Sequence, residues 1–255
     1  MRDPLEGRRW WVALGLTWVA GFVDVVGWVA LYHVYTANMT GNTVAMAYRW
    51  GQRRWAVGLA RGYPILMFVA GVFVSGVVFR LAQRRRPRRM VLPTVLAAEA
   101  ALLVAFFGLG FYLLPPGHPT APSPAVWAAL ATVAGLAMGL QNGSLAASGT
   151  LTVYTTHVTG TLTKMAEKTV EHLFWLYDRT TNRGARRRWA ALRLSPRQPA
   201  FREAMKQATL WCNYLCGGVV GAVLLRALGV RSLLAPVAAV VLLALATIRW
   251  PVEKL

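Results

Sequence analysis

The sequence predicts an all-α polytopic membrane protein of about six transmembrane helices, built as two inverted three-span repeats, each with a re-entrant half-helix after its first span. Three observations predict it. Apolar runs of spanning length recur along the chain, the charged gaps between them are strongly basic, and a polar, glycine-bearing dozen residues occurs twice. Of the 255 residues 56% are hydrophobic, yet the formal net charge is +19. Lipid can cover so much apolar surface, and basic residues gathered on one side of a bilayer account for the charge. A nucleic-acid-binding domain is disfavoured by pattern, because the Arg residues lie in gaps between apolar runs and not along one amphipathic face with aromatics between them.

The apolar runs cover about 10–31, 62–82, 90–114, 124–148, 207–228 and 232–249. Each is close to the ~20 residues that a spanning helix needs. The first follows Arg8 and Arg9, as a signal peptide would, but is too long for such a segment and lacks a small-residue cleavage site; it reads as a retained span. Residues 83–89, "QRRRPRR", carry five Arg, and residues 179–206 carry eight Arg and one Lys, whereas "PPGHPTAPSP" at 115–124 has no formal charge. The first two are expected in the cytoplasm and the third outside, with both termini cytoplasmic. Arg49, Arg53 and Arg54 in "RWGQRRW" then fall on the outer side, against that bias. A further full span through 34–48 would relieve them, but would put the five-Arg loop outside.

The repeated dozen is "YTANMTGNTVAMA" at 35–47 and "YTTHVTGTLTKMA" at 154–166. Upstream, "GFVD" at 21–24 matches "GLQN" at 139–142; downstream, "FVAGVFVSGVVFR" ending at Arg80 matches "YLCGGVVGAVLLR" ending at Arg226. Each half reads as span, polar dozen, span, span, giving repeat 1 over 10–114 and repeat 2 over 124–249 within one transmembrane domain of 1–255. On the threading above, the first dozen lies at the external face and the second at the cytoplasmic face, so the halves are inverted. Inverted repeats are a recurrent transporter layout with the substrate path between the halves.

From Thr40, a candidate N-cap, to Trp50 is about 16 Å of helix at 1.5 Å per residue, half of a ~30 Å hydrocarbon core. That suits a loop dipping inward and a half-helix climbing out. Facing half-helix N-termini present unpaired N–H groups and positive dipole ends, able to hold an anion or the negative end of a polar solute. Candidate binding residues are Tyr35, Thr36, Asn38, Thr40, Gly41, Asn42, Tyr154, Thr155, His157, Thr159 and Gly160. The same Thr, Asn and Gly residues also suit a purely architectural role, capping backbone and letting helices approach. Neither dozen contains a carboxylate, so a divalent-metal site is not expected, and no cofactor is implied.

Asp24, with Asn142 as its repeat mate, suits two roles: a titrating group that couples transport to protons, or an acceptor for N–H groups near Thr40 and Gly41. Gln141 and Glu99 join this coupling-or-capping set; Glu99 would pair with an Arg or line the path. Cys212 and Cys216, spaced i, i+4, read as small packing residues of a membrane helix. No catalytic constellation is present, so no enzyme is expected.

The stretches "AGFVDVVGWVALYHVYTANMTGN" at 20–42 and "GLQNGSLAASGTLTVYTTHVTGTLTKMAE" at 139–167 resemble the two signatures of the YoaK-like family of bacterial membrane proteins, a domain of unknown function. The resemblance implies a bacterial inner-membrane protein of about six spans and no substrate. The expected function is a transporter or channel for a small polar, neutral or anionic, solute; lipid and that solute are the expected partners, a homo-oligomer is compatible with the reading, and nucleic acid is not expected. The alternative is a membrane scaffold or regulatory subunit acting through the basic cytoplasmic loop 177–206.

Overall fold

The computed structural model describes residues 4–31, 33–84, 90–113, 123–147, 158–181 and 184–252. Among them there are nine α-helices and no strand: α1 (Pro4–Ala30), α2 (Met39–Gly51), α3 (Trp55–Arg84), α4 (Val91–Leu113), α5 (Pro124–Ala147), α6 (Val158–Thr180), α7 (Ala185–Leu194), α8 (Pro199–Leu228) and α9 (Leu234–Arg249). Five stretches of the described residues are long and apolar enough to cross a membrane: Gly7–Ala30, Trp55–Ala82, Val91–Leu113, Pro124–Ala146 and Pro199–Arg249. The last holds both α8 and α9, joined by a tight 3₁₀ turn at Gly229–Leu233.

The observed bounds correct several expected ones. α3 starts at Trp55 and not near 62, because the three residues 52–54 suffice to turn the chain after α2. α8 starts at Pro199 and not near 207; proline is well suited to a first helical position. Segment 177–206, expected as a loop, contains the end of α6, all of α7 and the start of α8. Arg, Ala and Leu are strong helix formers, so a high charge does not make the segment irregular.

The chain divides into two compact units, Met1–Thr156 with Tyr214–Leu255, and His157–Asn213. In the first, α3 and α5 cross so closely that no side chain fits between them. A Cβ on Gly71 would meet the Leu136 carbonyl oxygen at 2.5 Å, and one on Gly139 would overlap the Phe68 carbonyl. Further along, Gly143 meets Ser75 and Gly135 meets Met67, so the residue numbers rise together and the two helices run parallel. α1 and α8 cross in the same manner: a Cβ on Gly217 would overlap the Trp18 carbonyl, and one on Gly21 the Tyr214 carbonyl. Gly217, Trp18, Gly21 and Tyr214 are the repeat mates of Gly71, Leu136, Gly139 and Phe68. Membrane helices associate through small residues because lipid tails supply no hydrophobic drive between helices, and close backbone packing replaces it.

α1 and α5 run antiparallel. Gln141 Nε2 donates to the Leu16 carbonyl at 2.8 Å and Trp127 Nε1 to the Leu31 carbonyl at 3.2 Å, so one number falls as the other rises. α4 packs on α5 and α9, and α9 also on α1, where Leu243 fills the space over Gly15. The core between them includes Leu16, Val19, Leu96, Leu103, Met138 and Val240. α3 instead turns much of its apolar surface outward, with Leu66 61% and Phe73 70% exposed, as a lipid-facing helix does. At one end of this unit Arg9 Nε donates to the Val252 carbonyl at 2.9 Å, bringing the start of α1 beside the chain's C-terminal end.

The second unit holds α6, α7 and the start of α8. Ser195 Oγ lies 2.9 Å from Nε2 of the buried His172, whose ring also packs on Phe201 at 5.0 Å. Lys164 and Glu203 form an ion pair at 3.5 Å.

Candidate functional site

The first copy of the polar dozen surrounds Asp24, whose side chain is buried. α1 ends at Ala30, and the chain turns through His33, which adopts the left-handed φ of 64°. It then returns along α1 until Thr36 and Ala37 reach the Asp24 carboxylate. Asp24 Oδ1 accepts from the Thr36 N–H at 2.8 Å, the Thr36 hydroxyl at 3.0 Å and the Ala37 N–H at 2.7 Å; Oδ2 accepts from the Tyr214 hydroxyl at 2.6 Å. Six residues separate Asp24 from the end of α1, so the chain folds back by about 9 Å at 1.5 Å per residue. Gly27 makes room for this return: the Thr36 methyl lies where a Cβ would be. Trp28 packs its ring on His33 at 4.6 Å and on Tyr35 at 4.7 Å.

α2 starts from this anchored segment. Its N-cap is Asn38, whose Oδ1 accepts from the Gly41 N–H at 3.2 Å, and not Thr40. The helix begins at Met39, two residues before the Gly41 start that a Thr40 cap implies, which puts Thr40 inside the first turn, exposed, and leaves Asn38 within reach of the orphan donors. Asp24 correspondingly binds the N–H groups of Thr36 and Ala37 and not those near Thr40 and Gly41. Asn42, buried, clamps Tyr35 from both sides: its Nδ2 donates to the Tyr35 carbonyl at 2.7 Å and its Oδ1 accepts from the Tyr35 N–H at 3.0 Å. Gly41 packs under the Tyr35 ring, at 2.5 Å from where its Cβ would be. Thr36, Asn38 and Asn42 thus use their polar groups to hold irregular backbone, as buried backbone requires. Replacing Asn42 by leucine is expected to lower stability by about 1–3 kcal/mol, the cost of orphaning buried donors and acceptors, while Thr40→Ala stays within ~0.5 kcal/mol. Detergent melting curves of the two variants check this.

Of the second copy, Tyr154, Thr155 and His157 lie outside the described residues. α6 begins at Val158, the repeat mate of Met39 where α2 begins, with Thr159 and Gly160 exposed and Thr161 buried. Asn142, buried like its mate Asp24, donates to the Met138 carbonyl at 2.9 Å, and Gln141 ties α5 to α1 as described. Glu99 is buried in α4. Sequence reasoning missed Tyr214 as the partner of Asp24; its mate Phe68 lacks a hydroxyl, so the repeat carried no signal for it. Cys212 and Cys216, expected as packing residues, are free and exposed: Gly217, Gly218 and Gly221 take the face of α8 that meets α1. Among the described residues no cluster of His, Cys, Asp and Glu could hold a metal ion.

Long apolar helices, glycine-mediated crossings and a buried carboxylate that stitches a returning loop to the first helix define a multi-pass α-helical transmembrane protein. The chain belongs to the family described as protein of unknown function (DUF1275), whose model matches residues 12–247. It is similar to the UPF0700 transmembrane protein YoaK of Bacillus subtilis (strain 168), with 29% identity over 163 residues, covering 64% of this chain and 68% of that protein. No solved structure matches.

Proposed function

We propose that this protein is a transporter or channel for a small polar solute, built from two inverted three-span repeats with a re-entrant half-helix in each, in the bacterial inner membrane with both termini cytoplasmic. The observation that carries the reading is the reciprocal pair of crossings. α3 on α5 and α8 on α1 use mate residues, and the mates α1 and α5 run antiparallel, as an in-plane two-fold demands. The return of residues 33–38 to Asp24 supports a re-entrant entry into α2, because non-helical backbone at membrane depth is tolerated where it is buried in protein or lines a cavity. Arg9 beside Val252 supports an even number of crossings.

In this reading the exposed first turn of α2, with Thr40, addresses the solute, and the repeat assigns the first turn of α6, with Thr159, the same role. The Asp24 carboxylate beside the start of α2 offsets the positive helix end there, which favours a neutral polar solute over an anion at that site. Alternating access by rocking of one half against the other is the mechanism that fits such symmetry.

The test is uptake by proteoliposomes of the purified protein, offered a panel of small neutral polyols, amides and organic anions and followed by light scattering. Wild type is expected to pass at least one neutral polar solute. Thr40→Trp is expected to slow that passage by an order of magnitude while the melting temperature holds. A panel in which no solute moves would overturn the reading.

A further inference from the structure

Asp24 and Glu99 are both buried carboxyl groups in long apolar helices, and they are treated in opposite ways. Asp24 has four hydrogen-bond donors. Glu99, 0% exposed, meets no donor at either carboxyl oxygen among the described residues. It is also the sole Asp, Glu, Lys, Arg or His of α4, whose one other titratable side chain, Tyr112, is exposed near the helix end.

The helices packed on α4 supply no counter-charge either. α5 carries no ionisable side chain over its length. α9 offers only Arg249, exposed at its end and placed over the Trp250 ring, and the turn at Gly229–Leu233 only Arg231, over the Phe111 ring. On α3, Arg80 and Arg84 are exposed, Arg61 donates to the His33 carbonyl, and the Tyr63 hydroxyl is paired with Thr132. The nearest residues of α4 itself on the buried side, Val95, Leu96, Ala100 and Leu103, are apolar core. An ionised carboxylate in such surroundings costs several kcal/mol even after the protein relaxes. A membrane-embedded acid kept without a partner is a candidate functional group.

We propose that Glu99 is the proton-binding group of this protein. When a path opens to one aqueous side, the carboxylate takes a proton from hydronium: one O–H bond of the hydronium breaks, one forms on Glu99, and a water molecule is left. The neutral acid then tolerates closure of the apolar packing around it. Opening to the other side breaks that O–H bond and releases the proton. Net movement needs only a transmembrane proton gradient. Coupling of this step to solute rests on the transporter reading above; the proton site itself does not.

The first experiment is labelling of the wild-type protein in native membranes with a hydrophobic carbodiimide, which adds to protonated carboxyl groups within apolar surroundings, followed by peptide mass spectrometry across a pH series. Glu99 is expected to be labelled, Asp24 not, and labelling is expected to fall as pH rises. The second is proton flux into proteoliposomes carrying a pH-sensitive dye, driven by an imposed gradient and run with and without the neutral solutes of the panel. Glu99→Gln, which keeps shape and volume, is expected to lower the flux by an order of magnitude, and Glu99→Asp to restore part of it. Absent labelling at every pH, labelling that ignores pH, or a flux unchanged in Glu99→Gln would overturn the proposal. Solute uptake that persists in Glu99→Gln without pH dependence would overturn it and leave the transporter reading standing. Glu99-dependent proton flux with no solute moving would uphold it and remove that reading.

Discussion

Replacing Gly71 or Gly139 by leucine is expected to produce the largest loss of stability of any single change in the α3–α5 crossing, and Gly217→Leu or Gly21→Leu is expected to match it in the α1–α8 crossing. At all four positions the atom that a new Cβ would meet is a backbone carbonyl, which cannot swing aside as a side-chain end can. Overpacking a tight interior usually costs about 1–3 kcal/mol and sometimes more; rigid backbone on the opposing side puts these changes at the upper end. Gly76 is the control. It lies on α3 like Gly71, but a Cβ there would meet nothing within 4 Å, so Gly76→Leu is expected to leave the protein unchanged. Melting curves in detergent, with monodispersity on gel filtration, measure the series. Equal tolerance of leucine at Gly71 and Gly76 would mean that α3 and α5 do not cross where the structure has them. Tolerance at Gly217 but not at Gly71 would break the reciprocity on which the proposed two-fold rests.

The second large effect is expected at Asp24. Alanine there removes the acceptor of two backbone N–H groups, those of Thr36 and Ala37, together with two hydroxyl hydrogens. The hydroxyls can turn elsewhere, but buried N–H groups are fixed by the chain, and each one orphaned costs about 1–3 kcal/mol. Asp24→Asn is expected to be much milder. Its carbonyl oxygen can still serve Thr36 and Ala37, and the Tyr214 hydroxyl can reverse and accept from the new amide. Tyr214→Phe should fall between wild type and Asp24→Ala. A double-mutant cycle of Asp24→Asn with Tyr214→Phe isolates the contact between α1 and α8. If Asp24 were the coupling group and not a staple, Asp24→Asn would instead keep the melting temperature and abolish the pH dependence of uptake. The expected result is that uptake in Asp24→Asn keeps the pH profile of wild type.

Together these experiments separate two uses of buried carboxyl groups in one membrane protein. Asp24 closes hydrogen bonds that irregular backbone needs, so its removal is felt in folding. Glu99 closes none among the described residues, so its replacement by Gln should be felt little in folding and strongly in proton movement.

The membrane class and the helical runs were legible because lipid imposes a composition that a one-dimensional reading detects: some twenty apolar residues at a time, with basic residues in between. The small-residue crossings were half legible. Gly71 and Gly217 stand at matching places in two similar stretches, but only the tertiary structure pairs each with a carbonyl of a helix far along the chain, Leu136 for one and Trp18 for the other. The polar dozen was legible as a repeat and misread in detail. A cap depends on where the first helical φ and ψ fall, and a shift of two residues moved that role from Thr40 to Asn38. Segment 177–206 was legible by charge but not by conformation, since arginine-rich sequence is as compatible with helix as with loop.

What the sequence by itself determined is the solvent this protein is built for and the similarity of the stretches 35–47 and 154–166, because hydropathy and self-similarity are local properties of the chain. What only the tertiary structure decided is which polar groups are spent and which are left over. Asp24 finds its donors at Thr36, Ala37 and Tyr214, twelve, thirteen and 190 residues away, while Glu99 finds none among the described residues. Hydrogen bonding is decided by distances of about 3 Å between atoms that folding brings together, and no periodicity in the sequence encodes that meeting.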